Sequence, residues 1–348
     1  NGNTLWRDAE ERELNQIDEY EAFVDVGIGL SKVPTGYKKI QLHMVYDMKV
    51  TLQRKARLVT DGQLTDTPVD SVYSSVVSLR GLKTTLFIAE LNQLDVWCTD
   101  VGNAYLEAYT DEKVYIVAGN EFGIQEGRTL IILKALYGLR SSGVRWWERF
   151  SAILIDLGFV RSKAEDDIWM RDKGDHYEYV ARYVDDLTIA SRDPQPIIDA
   201  LMTVYKLKLK GTGPIAYHLG CNFTRDADGV LCMSPTKYIE RMIETYHRLF
   251  GVKPKTTYTS PLEKGDHPEL DTSDELDMDG TKQYQTLIGA LQWVITLGRF
   301  DVATAVMTLS SFRVSPRLGH LERAKRIYGY LSKMKHGALR FRVGEPDY

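Results

Sequence analysis

The chain has 348 residues and a mass of 39.7 kDa, is 43% hydrophobic and 26% charged, and carries a formal net charge of −4. That apolar fraction excludes a wholly disordered chain, and the length suffices for two or three modules around a sizeable core. No apolar run approaches the roughly 18 residues of a membrane helix, and three cysteines without a Cys-x-x-Cys pair exclude a disulfide scaffold or a cysteine-built zinc site. No signal-like segment follows Asn1, and a reducing interior is the expected setting. Taken alone, the slight acidity argues against a nucleic-acid partner. The charge is segregated, however. Residues 1–25 hold eight acids against Arg7 and Arg12, and 264–280 hold seven against Lys264. Residues 38–57 hold six cations against Asp47, and 313–342 hold nine against Glu322. The two basic blocks are expected to be polyanion-binding surfaces.

In chain order, residues 4–20 place Leu5, Ala9, Leu14 and Ile17 on one side of an amphipathic helix. Strands and turns are predicted over 40–60 and 67–79, then a helix over 80–92, a buried strand over 94–101 and shorter strands over 114–117 and 130–133. A helix over 145–157 turns Trp146, Phe150, Ile153, Leu154 and Leu157 inward and stops at Gly158. Strands over 177–183 and 187–191 flank two aspartates, and a helix covers 197–207. Residues 216–233 form a hairpin turning at Asp228-Gly229. Helices follow over 238–250, 284–297, 302–312 and 321–334, with an acidic loop over 254–280.

The sharpest local feature is Tyr183-Val184-Asp185-Asp186 between two apolar β runs. Adjacent carboxylates in a partly dry hairpin repel, and a hard divalent cation is the simplest compensation, against the plainer reading of a solvated turn. A partner carboxylate is offered by Asp95 and Asp100, an odd number of residues apart and so on opposite faces of one strand. Asp95 fits a structural or exposed position. Asp100 lies at the strand's end, where Gly102-Asn103 permits a sharp turn. Two metals held by Asp100 and Asp185 would suit an in-line phosphoryl transfer.

These residues resemble a known family. Asp100-Val-Gly-Asn-Ala-Tyr105 and Tyr183-Val-Asp-Asp186 are similar to the two metal-binding motifs of reverse transcriptases, and Lys134-Ala-Leu-Tyr-Gly-Leu-Arg140 resembles a signature of copia-type LTR retrotransposons. Arg54-Lys-Ala-Arg-Leu-Val59, Asp111-Glu-Lys-Val-Tyr115, Gly158 to Lys163, Tyr284 to Trp293 and His320 to Leu331 fit the same family in order, from about Leu5 to Arg342. The run Ser141-Ser-Gly-Val-Arg145 departs from it.

The resemblance implies an α+β right hand: fingers with the start of the palm over 1–93, palm with a fingers insertion and primer-grip hairpin over 94–233, and a helical thumb over 234–335. Residues 336–348 would begin a connection or RNase H region. It implies two Mg²⁺ ions, with Mn²⁺ as a substitute, on Asp100, the Val101 carbonyl, Asp185 and Asp186. Deoxynucleotide contacts would come from Lys49, Lys55, Arg57, Gly102, Tyr105 as a steric gate against ribose, Tyr137 and Gly138. Lys208 or Lys210 would give pyrophosphate its proton, with Lys210 the candidate catalytic residue. His218-Leu219-Gly220 falls at the primer grip, and Gln285, Gly289 and Trp293, every fourth residue on one helix face, match a thumb helix that tracks template–primer. The implied partners are an RNA or DNA template with primer, dNTPs, and RNase H and integrase regions of one polyprotein, without a membrane. The implied setting is a cytoplasmic virus-like particle or the nucleus. The competing reading is a domesticated, catalytically idle fold used as a nucleic-acid-binding or assembly scaffold. An RNA-synthesising polymerase is disfavoured by the bulk of Tyr105.

Overall fold

The computed structural model describes residues 4–48, 53–62 and 72–344. The fold is α+β and divides into two compact units, one of residues 1–77 with 99–212 and one of residues 78–98 with 213–348.

In the first unit, α1 (Thr4–Glu19) turns Ala9 and Ile17 inward. A four-stranded sheet runs in the order β1 (Phe23–Ile28), β7 (Arg128–Ile132), β6 (Val114–Val117), β2 (Lys38–Lys39), and β3 (Leu42–Met48) pairs with β4 (Arg54–Thr60) in a separate hairpin. Ile17, Ile40, Leu58, Leu106, Val114, Ile116, Leu130 and Ile132 pack into one core. A second, six-stranded sheet has the order β12 (Leu209–Pro214), β5 (Asp95–Val101), β11 (Asp186–Ser191), β10 (Tyr177–Tyr183), β9 (Ile168–Asp172), β8 (Val160–Arg161). Helix α3 (Ser142–Asp156) buries Trp146, Phe150, Ile153 and Leu154, and the chain leaves it through Gly158 at φ +83°. Helix α4 (Gln195–Thr203) is shorter than predicted, because the chain passes through a left-handed residue at Lys206 (φ +59°). The strand expected over 67–79 does not form over 72–78, and residues 67–71 lie outside the described residues. Ser78, which belongs to the second unit, instead caps that unit's α2 (Leu79–Leu91), its side chain accepting the Gly81 N–H at 2.9 Å.

In the second unit, a four-stranded sheet has the order β13 (Tyr217–His218), β14 (Cys221–Arg225), β15 (Leu231–Ser234), β16 (Leu339–Arg340). Helices α5 (Thr236–Phe250), α6 (Met278–Thr296), α7 (Ala303–Ser310) and α8 (Leu318–Lys333) share a core of Ile239, Tyr284, Leu287, Leu291, Val306 and Ile327. Helix α6 begins inside the loop predicted to run to residue 280, because the Asp277 side chain accepts the Gly280 N–H at 2.7 Å and caps it there.

The basic block over 313–342 is not the open polyanion surface expected of it. Arg317 pairs with Glu275, Arg323 with Asp266 and Asp271, and Arg326 with Glu263. Lys325, Lys335 and Arg340 also face carboxylates. The acidic loop and α8 neutralise each other. Among the described residues no helix is long and apolar enough to cross a membrane.

Candidate active site

Strands β10 and β11 pair Tyr183 with Asp186, leaving Val184 and Asp185 as a two-residue turn. Val184 has φ +56°, a conformation that costs a β-branched residue on the order of 1–3 kcal/mol and that glycine ordinarily fills in hairpins. The turn is held from three sides. The Val184 carbonyl accepts the Trp146 indole N–H at 2.7 Å, and the Asp185 carbonyl accepts the Val101 N–H at 2.8 Å. One residue before the turn pair, the buried Arg182 guanidinium pairs with buried Asp167 and donates to the Trp147 carbonyl at 3.1 Å.

The Asp185–Val101 hydrogen bond joins the hairpin to the end of β5 and so gathers the predicted carboxylates. Asp100, Asp185 and Asp186 are all partly buried. Burial, then the charges of Asp185 and Asp100, push the Asp186 carboxyl up to about 6. Asp95, in contrast, is exposed. The donor set is oxygen only and crowded with negative charge, which suits a hard divalent cation. Among the described residues no three His, Cys, Asp or Glu side chains form a ready-made cage. Mg²⁺ does not ask for one: it binds through one or two carboxylates plus substrate phosphates.

After β5 the chain turns through Asn103 in the left-handed region (φ +55°), its side chain donating to Gln16 at 3.2 Å. Gly102 is closely approached. A Cβ there would lie 2.9 Å from Lys210 Cε and 3.1 Å from the Lys208 carbonyl, which accepts the Gly102 N–H. The two candidate lysines are thereby distinguished. Lys208 is held by Glu19 at 2.6 Å, over the Tyr20 ring, whereas the Lys210 ammonium lies against Gly102.

Beside this turn lies a cavity of about 220 Å³ lined by Arg12, Arg54, Lys55, Arg57, Asn103, Tyr137 and Lys210, with Glu13 its one carboxylate among the described lining residues. The Nε–H groups of Arg54 and Arg57 are buried without an acceptor, and the Arg54 guanidinium lies over the Trp6 ring. Burial raises the Glu13 pKa against the pull of the Leu58 N–H, Lys55 and Arg57. Five cations among the described residues line the cavity, and their N–H donors have the chemistry to take an anion with several oxygens. Arg57 lies over the Tyr137 ring, and Tyr137 packs on Tyr105 with centroids 5.1 Å apart. Burial pushes the Tyr137 phenol up to about 12, with Arg57 opposing and the Asp185 charge adding to the rise. Tyr137 therefore stands in the field of both the cations and the carboxylates. Burial and then Asp185 likewise raise Tyr105. Gly138 (φ +98°) is bare for an internal reason, since a Cβ would meet the Thr60 carbonyl oxygen at 2.1 Å.

A model of the family "Reverse transcriptase (RNA-dependent DNA polymerase)" matches residues 27–262. The chain belongs to this family. It is 25% identical over 91% of its length to a Retrovirus-related Pol polyprotein from transposon TNT 1-94 of Nicotiana tabacum, of which it spans 25%. It is 29% identical over 70% of its length to a putative transposon Ty5-1 protein of Saccharomyces cerevisiae, covering 79% of that protein. It is 27% identical over 82% of its length to a Retrovirus-related Pol polyprotein from transposon RE1 of Arabidopsis thaliana, of which it spans 19%. The resemblance to copia-type retrotransposon reverse transcriptases drawn from the motifs stands.

Two positions of this reverse transcriptase chain were not singled out by sequence reasoning. Arg12 sits in an acidic stretch and resembles a solvated cation, and Arg54 was one charge among several; only the cavity distinguishes them. Lys49 lies outside the described residues. In the second unit, Leu219 and Gly220 (φ +44° and +84°) form the turn between β13 and β14. His218 is buried, and burial pushes its imidazole down to about 4, so it is neutral at pH 7 and offers no charge to a primer phosphate. Gln285, Gly289 and Trp293 are all exposed on α6, opposite its buried Tyr284, Leu287, Leu291 face. A Cβ on Gly289 would meet nothing within 4 Å, so the protein's own packing does not demand glycine there.

Proposed function

We propose that the chain is an RNA-directed DNA polymerase, working within a longer Pol polyprotein, that adds deoxynucleotides to a primer 3′-hydroxyl. In this reading residues 1–93 are fingers with the start of the palm, 94–233 palm and 234–335 thumb. The observation that carries it is the placement of crowded carboxylates beside an anion cavity, with Tyr137 in the field of both.

Asp100, Asp185 and the Val101 carbonyl, with Asp186 behind them, would hold two Mg²⁺ or Mn²⁺ ions that activate the 3′-hydroxyl and neutralise the leaving pyrophosphate. Arg57, Arg54, Lys55 and Arg12 bind the triphosphate oxygens in the cavity. Lys210, over Gly102 and in the same cavity, gives its proton to the departing pyrophosphate. Tyr105, propped by Tyr137, takes the sugar-side position where a ribose 2′-hydroxyl would clash. Template choice is left to base pairing, while Gln285, Gly289 and Trp293 give the duplex an exposed, uncharged helix face.

Primer extension on an RNA template with Mg²⁺ tests the reading. Wild type extends, and Asp185→Asn loses roughly a thousandfold or more of kcat. No extension by the wild type overturns the enzyme, and equal extension by both overturns the metal site.

A further inference from the structure

The turn that carries Asp185 is intrinsically unfavourable. Val184 is β-branched and sits at φ +56°, yet its side chain has no structural device of its own to hold it there. What holds it comes from another element. Trp146 on α3 is 2% exposed, fixed against Phe150, and spends its one polar atom on the Val184 carbonyl at 2.7 Å. The next residue reinforces the same strand, because the Trp147 carbonyl takes an N–H from Arg182. The carbonyl that Trp146 fixes belongs to the peptide unit leading directly into Asp185. Rotation of that peptide would re-aim the Asp185 side chain and strain the hydrogen bond from the Val101 N–H to the Asp185 carbonyl.

We propose that Trp146 is a positioning residue for the catalytic hairpin: its indole N–H locks the strained Val184 peptide and so sets the direction of the Asp185 carboxylate. The inference rests on the polymerase reading for its kinetic consequence and on the hydrogen bond alone for its structural one. A tryptophan kept merely for packing would be replaceable by another large aromatic, whereas a lock needs the N–H.

The test is Trp146→Phe in the full chain, read by kinetics and by hydrogen exchange. Primer extension should lose roughly tenfold or more in kcat while KM for dNTP stays within about twofold, since misplacement of a reacting group costs turnover rather than ground-state binding. Exchange of the Val101 amide, bonded to the Asp185 carbonyl, should accelerate by roughly tenfold. In a Val184→Gly background, where a positive φ is unstrained, the same substitution should cost less, giving a coupling in the double-mutant cycle. Unchanged kcat and unchanged Val101 exchange in Trp146→Phe overturn the proposal, as does a loss that is fully multiplicative with Val184→Gly. Should Trp146→Phe unfold, benzothienylalanine at position 146, of the same shape but without the N–H, is read by the same two measurements. If the wild type does not extend primers, the polymerase reading fails and Val101 exchange still decides the role of Trp146.

Discussion

Residues 38–57 and 313–342 are both dense in Lys and Arg, and the fold treats them in opposite ways. In the second block, six cations are matched to carboxylates, four of which lie on the acidic loop before α6. Arg323 is the centre of that clamp, bidentate to Asp266 and 2.5 Å from Asp271. Gly319 lets the loop approach, since a Cβ there would clash with Asp271 Oδ2. In the first block, Arg54 and Arg57 keep buried N–H groups without an acceptor and open onto a cavity. One block is spent on holding a loop in place. In the other, the Arg54 and Arg57 guanidinium groups lie over aromatic rings, those of Trp6 and Tyr137. Net charge along a segment says how many cations exist; what faces them decides whether they are available.

The contrast can be broken in four places. Arg323→Ala removes a part-buried partner from two part-buried aspartates and should cost about 1–2 kcal/mol of stability by urea unfolding. It should leave KM for dNTP unaltered. Arg57→Ala should do the reverse, raising KM for dNTP roughly tenfold with no change in the unfolding midpoint. If Arg57→Ala acts only on stability, the cavity is structural and the two blocks are alike. Acid should dissolve the clamp specifically. Burial would raise Asp271, but Ser273 and Arg323 outweigh it and hold its carboxyl at about 2 against an ordinary 3.8. Its contribution is therefore complete above pH 3.8 and is lost as pH falls towards 2, and Arg323→Ala should flatten that part of the stability profile. The smallest effect is at Gly289→Ala, in the uncharged face of the second unit. The helix should gain about 0.5–1 kcal/mol while template–primer affinity measured by fluorescence anisotropy falls; unchanged affinity would remove α6 from the duplex contact.

The cluster of three carboxylates was legible because its signal is local. Asp185-Asp186 in an apolar hairpin and Asp100 before Gly102-Asn103 are anomalies of composition and turn chemistry, visible without a fold. The same is true of α1, α2, α5 and the β10–β11 hairpin, whose periodicities point to single faces. Strand β12 was not legible. Its Leu-Lys-Gly-Thr-Gly-Pro sequence resembles a loop, and it forms a strand because it lies at the edge of the six-stranded sheet, where proline and glycine are tolerated. That strand places Lys210 beside Gly102, a neighbourhood the sequence hid.

The sequence by itself determined the family, through the order and spacing of its motifs. It also determined the exposed α6 face, because helical periodicity is a property of neighbours along the chain. Tertiary structure decided three things. It paired the second basic block with carboxylates, brought Arg12 and Arg54 to the lining of one cavity, and made Trp146 the donor to the Val184 carbonyl. Each depends on what stands opposite a side chain across tens of residues. No local pattern encodes that, since charge pairing and hydrogen bonding are set by distance in space.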